Sequence, residues 1–255
     1  MMSDATIGID PKIKFTLYRL SVWSGLLVVI GSVLAYTVVS PLTPPPPPSW
    51  GAKQVSEFLF AHRTNILWSV VIMGFFAPFF YFFAVITSQQ MARIEGGWGV
   101  LSFLQLTTAV VAPTGWIYPL AMIATAVYRP DRDPNLVLMF NDLYWLTYVG
   151  VAFIFSINIA SIGLAALWDR RQNPVFTRWF GWANIAFAII FAPGIFVYPF
   201  MDGPFAWDGL FANIIPSIAF LFWKAMMITM LLRAVKSEEK EEAAALKAAT
   251  LKATA

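Results

Sequence analysis

Lys224 is the side chain in this sequence whose placement most invites chemistry. It lies within an apolar stretch over 209–233, about eight residues from the basic end of that stretch, or about 12 Å deep in a bilayer at the helical rise. An ionisable group at such depth is costly and commonly marks a ligand contact, a relay or a counter-ion. Asn213, Ser217, Phe220 and Lys224 follow one another in steps of four, three and four, which puts them on one helix face. Counted inward from the same side of the bilayer, Gln105 and Asn184 reach comparable depths, and Asn158 lies deeper. These residues together predict one polar pocket for a small, largely apolar molecule. The competing reading is that Lys224 runs its four-carbon stem to the surface, toward Asp169. The amides would then be interhelical hydrogen bonds, each worth about 0.6–2 kcal/mol.

A repeated pattern could shape such a pocket. Ala112-Pro113 is followed by Tyr118-Pro119, and the spacing returns 80 residues later as Ala192-Pro193 and Tyr198-Pro199. Proline removes a backbone hydrogen bond and crowds the carbonyl four residues back, so Pro113, Pro119, Pro193 and Pro199 are expected helix kinks. Two helices bent toward one side would leave a cavity between them. Chance recurrence in an apolar chain is the alternative.

Other chemistry is thinly represented. His62, Asp142, Asp202 and Asp208 fall on one expected side and could supply acid–base groups. Loop charge at an interface is the simpler account of them. There is no cysteine and a single histidine, so thiolate chemistry, disulfides and multi-histidine metal or haem sites are excluded. No nucleophile elbow, phosphate loop or zinc-protease motif occurs. No cofactor, metal or catalytic residue is expected, and the absence of a basic stripe excludes nucleic acid as a partner.

The elements that must position these residues are membrane spans. The chain is 59% hydrophobic and 12% charged, where soluble domains carry about 25% charged residues. Six apolar runs, over 18–40, 64–88, 99–127, 141–168, 179–201 and 209–233, are long enough to cross a bilayer as helices. The expected fold is all-α: a polytopic bundle of six transmembrane helices over 18–233, preceded by a polar segment over 1–17 and followed by an Ala/Glu/Lys-rich tail over 234–255. One set of loops and ends carries twelve Lys and Arg and the other set four, which places both termini in the cytoplasm. A lysine in a final span also suggests a retinal Schiff base, but six spans and the lack of an acid at that depth exclude it.

Between the spans, the Pro-rich stretch over 41–50 reads as a stiff polyproline spacer on the outer side. Residues 51–62 read as an amphipathic helix whose Val55, Phe58 and Leu59 touch lipid. Asn141-Asp142 is expected to open the fourth helix, the acid favoured by the helix dipole. Small residues four apart, Ser21 with Gly25, Gly31 with Ala35, and Ala152, Ser156 and Ala160, allow close helix contact.

The segments Gln90-x-x-Arg93-Ile94-Glu95-Gly96, Asn141-Asp142-Leu143-x-Trp145-Leu146, Phe176-x-Arg178-Trp179-x-Gly181-x-x-Asn184 and Gly203-Pro204-Phe205-Ala206-Trp207 resemble those of a group of uncharacterised bacterial membrane proteins, over roughly residues 50–235. The resemblance implies a multi-pass protein of the bacterial inner membrane and no activity. Expected partners are the lipid bilayer, a small hydrophobic ligand, and a second copy or another membrane protein. A binding or transport module is the first reading, an accessory subunit joined through the small-residue faces the second, and an enzyme with an outer-face site the third.

Overall fold

The computed structural model describes residues 9–253. All regular elements among them are helical. Six stretches are long and apolar enough to cross a membrane: Pro11–Val39, Arg63–Glu95, Val100–Tyr128, Pro134–Trp168, Arg178–Val197 and Leu210–Lys252. The six expected runs are all present, with shifted ends.

Helix α1, Pro11–Val33, opens with Asp10, whose carboxylate accepts the Lys12 N–H at 2.7 Å, and with Pro11 at its first position. It widens into a π-helical turn over Leu34–Val39 before the Pro-rich stretch. Helices α2 (Ala52–Ala61), α3 (Arg63–Phe76) and α4 (Phe79–Glu95) follow. The second span is α3 and α4 together, interrupted at Ala77-Pro78, where proline has no N–H to offer the preceding turn. A left-handed Gly96 (φ 76°) closes α4. Helix α5 spans Val100–Tyr128; α6 (Pro134–Gly150) and α7 (Ala152–Trp168) form the fourth span, joined at Val151. Helix α8, Arg178–Phe191, tightens into a 3-10 turn over Ala192–Val197. A π turn over Leu210–Ile214 leads into α9, Ile215–Ala253.

The buried core has two main clusters. One gathers Phe83, Ile162, Phe180, Trp223 and Leu231 toward the end where α1 begins. The other gathers Leu59, Ile66, Tyr144, Trp145 and Trp207 toward the opposite end. A smaller group around Val28, Phe80 and Ala109 completes the core. The expected small-residue contacts are spent inside the chain. A Cβ on Gly25 would lie 2.5 Å from Phe83, and one on Gly163 would lie 2.9 Å from the Gly181 carbonyl.

Several local expectations change. The fourth span begins at Pro134, with Asp133 as its cap accepting the Asn135 N–H at 2.8 Å. Asp-Pro is itself a helix-start signal, so Asp142 sits two turns inside the helix and is not the cap. The apolar face of α2 meets protein rather than lipid: Val55 and Leu59 are fully buried in the second core cluster. Nor does the Pro-rich stretch stand free. Leu42 is buried, and the Trp207 indole N–H donates to the Pro46 carbonyl at 2.9 Å. The 234–253 segment continues α9 without a break, and its acids dock on the start of α1 and the end of α4. Lys14 meets Glu242 at 2.5 Å, Arg19 meets Glu239 at 2.5 Å, and Arg93 meets Glu241 at 2.9 Å.

Candidate functional site

Helix α9 carries Lys224 to the interior because the residues around it, Trp223, Met227 and Ile228, are buried while Leu221 and Phe222 face outward. The lysine is fully buried, and its Nζ has no hydrogen-bond partner among the described residues. Aromatic faces surround it. The Nζ lies 3.9 Å from the centroid of Phe83, 4.3 Å from Phe80, 4.8 Å from Trp223 and 5.4 Å from Phe220. Helix α4 contributes Phe80 and Phe83; α9 contributes Phe220 and Trp223. A second layer backs the box: Phe155 of α7 packs on Trp223 at 5.1 Å, and Trp116 of α5 packs edge-on against Phe80 at 5.6 Å and Phe220 at 5.9 Å. Three of the four rings are buried, and only Phe220 is partly exposed.

A cation over an aromatic face is attracted by the ring quadrupole, by about 2 kcal/mol or more where water is excluded. Rings supply no lone pair, however, and an unpaired buried polar group keeps its desolvation cost. The box therefore holds an amine without satisfying it.

The surface reading of Lys224 is not what the structure shows. Its stem does not reach Asp169, which is instead gripped by Arg171 at 3.1 Å and by the Val175 N–H at 2.8 Å. Burial pushes the Asp169 carboxyl up, but these bonds outweigh it and hold the group below its usual range.

The other expected pocket residues separate into three groups. Gln105 accepts from the Ser88 hydroxyl, and Asn158 donates to the Gln105 carbonyl at 2.7 Å and to Thr108 at 3.0 Å. This buried knot ties α4, α5 and α7, and leaves the Asn158 Oδ1 without a partner. Asn184 joins the lysine box indirectly: it donates to the Phe180 carbonyl at 2.9 Å and accepts from the Trp223 indole at 3.0 Å. Asn213 donates to the Trp207 carbonyl at 2.7 Å and accepts from Ser217 at 3.0 Å. These last two secure the 202–209 loop, about 10–16 Å along the helix from Lys224.

The proline repeat has two different outcomes. Pro113 and Pro119 lie buried within the unbroken helix α5. Pro193 is the second residue of the 3-10 turn that follows α8, and Pro199 falls in the turn beyond it. The α7 half of the fourth span packs on both α5 and α8, with the 3-10 turn also against it. A passage directly between the third and fifth spans is therefore occupied by the fourth.

On the other side of the bundle, His62 bonds the Phe58 carbonyl through Nδ1 at 2.9 Å, and Asp142 accepts from Asn141 at 3.3 Å. Burial raises the Asp208 carboxyl above its ordinary value. No group of three or more acidic or histidine side chains poised to hold a metal occurs among the described residues.

The aromatic box is the feature that sequence reasoning missed. The run from Phe75 to Phe83 reads as lipid-facing or packing, and Phe75 and Phe82 are indeed exposed. The available signal is a basic residue with no acid at its depth in any span, which leaves π faces as the remaining attraction. The chain matches no protein-family model, no curated protein and no solved structure.

Proposed function

We propose that the protein is a multi-pass protein of the bacterial inner membrane, with both termini in the cytoplasm, that binds or transports a small, largely apolar molecule within its helix bundle. The observation that carries this reading is the buried, unpartnered Lys224 amine inside an aromatic box. An apolar molecule bearing one carbonyl or carboxylate oxygen would pack on the rings and give the amine the acceptor it lacks. Access runs past Phe220 and Trp116, because Phe220 is the one partly exposed ring of the box. The small-residue faces meet other helices of the same chain, which weakens the accessory-subunit reading.

Lys224→Met tests the proposal. An unpaired buried amine keeps its desolvation cost, so an apolar side chain of similar volume removes a penalty and loses no hydrogen bond. The variant should melt no lower than the parent protein. Native mass spectrometry of detergent-purified protein should show a co-purifying small molecule on the parent and not on the variant. Equal occupancy of both proteins overturns the reading. A second membrane protein at fixed ratio, unaffected by Lys224→Met, favours the accessory role.

A further inference from the structure

At the end of the bundle where α1 begins, two cavities adjoin. The first, of about 540 Å³, is lined by Tyr18, Arg93, Gly96, Gly97, Arg171 and Glu238, among others, and reaches Trp98. The second, of about 520 Å³, runs from Trp98 along α5 past Val100, Phe103, Leu104 and Thr107. Trp98 lines both. Their chemistry differs sharply. The first holds two guanidinium groups; the second is an apolar groove on a helix face that points to lipid, with Val100 79% and Phe103 52% exposed.

We propose that the paired cavities bind one phosphate-bearing lipid from the leaflet on the side where α1 begins. Its headgroup phosphate would lie between Arg93 and Arg171, and one acyl chain would lie along the α5 groove. This site is separate from Lys224.

Charge supports that occupant. Arg171 commits its Nε and Nη2 to Asp169 and leaves Nη1 for a ligand. Arg93 is held in place by Gln90 at 2.6 Å and Glu241 at 2.9 Å, so it is a positioned cation and not a swinging one. Glu238 also lines the cavity; it accepts from the Gln90 amide at 2.8 Å and is ion-paired with Lys14 at 3.4 Å and Arg93 at 3.6 Å. The helix start of α5 does not compete for the phosphate. Its Leu101 and Ser102 N–H groups are already taken by the Glu95 carboxylate, at 3.0 and 2.8 Å. Gly96 and Gly97 add no side chain to the floor, and space beside both is open. Asp169 already occupies the Arg171 fork, so the bond to phosphate would come from Nη1, a charge-assisted donor. Tryptophan at the junction sits where an amphipathic ring is favoured, between headgroups and chains. A free anion would use only the first cavity; continuity with the groove points to a lipid.

The test is native mass spectrometry of the full chain in detergent, titrated with phosphatidylglycerol, with diacylglycerol of the same chains, and with glycerol 3-phosphate. The expected result is one tightly bound phosphatidylglycerol and little binding of the other two. Arg171→Gln, which removes the guanidinium charge and its Nη1 donor, should weaken phosphatidylglycerol binding about tenfold. Thr107→Trp, a lipid-facing change that fills the groove and touches no charge, should weaken it similarly. Lys224→Met should leave it unchanged, so this site and the bundle site fail independently. Diacylglycerol binding as tightly as phosphatidylglycerol overturns the proposal. So does saturation by glycerol 3-phosphate alone, or full affinity in both Arg171→Gln and Thr107→Trp.

Discussion

Lys224 shows how a single residue can be legible in type and opaque in setting. Its depth follows from counting along an apolar run, because a helix advances 1.5 Å per residue. Its partners do not follow, because Phe80 and Phe83 arrive from a helix far away in sequence, and alternation within one helix says nothing about which ring faces which neighbour. The same limit explains why the six expected pocket residues divide. Asn158 and Gln105 find each other and Ser88, whereas Asn213 and Ser217 serve a loop. At this scale Asp169 gives a pH prediction. Its folded-state carboxyl sits below the ordinary value, so its contribution to stability is present at pH above the unfolded value near about 3.9. That contribution is lost as pH falls through the lowered folded value. Asp169→Asn should therefore reduce stability at neutral pH and flatten the acid limb of the melting profile, read by thermal unfolding between pH 3 and 7. An unchanged acid limb would show that the Arg171 and Val175 contacts do not matter to folding.

Among the elements, helix ends were the hardest to place and helix interiors the easiest. Arg129 to Pro134 reads as a loop because charge and proline dominate it, yet Asp133-Pro134 is also a capped start. The α2 segment has an apolar face either way; what covers that face is α6, a helix more than seventy residues further along the chain, and periodicity within α2 does not name it. Close packing of α7 on α8 rests on Gly163 and Gly181. Gly163→Val should cost about 1–3 kcal/mol by overpacking, since the added carbon meets a backbone carbonyl that cannot rotate away; reversible unfolding in mixed micelles measures it. The tail gives a graded prediction. Glu238 is mostly buried, accepts one hydrogen bond and meets two cations, while the Arg19–Glu239 pair is about 40% exposed on each side. Glu238→Ala should cost about 1 kcal/mol, and Glu239→Ala less than about half of that.

For the molecule as a whole, composition carried most of the architecture. A chain this apolar has to hide its surface in lipid, and a lipid solvent forces each span to satisfy its own backbone. Six spans and their order were therefore readable, as was the gathering of basic residues at one end, where the structure also brings the start of α1 against the 234–253 segment of α9. The orientation in the bilayer is open to direct measurement because the chain has no native cysteine. Asp202→Cys in the loop before α9 should react with a membrane-impermeant maleimide added to intact spheroplasts. Ala244→Cys on the tail should react only after the membrane is opened. The reverse pattern would invert the topology.

The lysine box also has a history within each molecule's synthesis. Half of its wall, Phe80 and Phe83, is inserted with the second span, and the amine itself arrives only with the last. Until then Trp116 and Phe155 are already on hand to pack on Phe80, but the side of the rings that meets α9 lacks its partner. When α9 first enters the bilayer, its ammonium has nowhere to go but the headgroups. Docking of the final helix is thus the step that draws the charge inward, and a chain stalled before that step would keep Lys224 open to water-borne amine reagents from which the finished protein shields it.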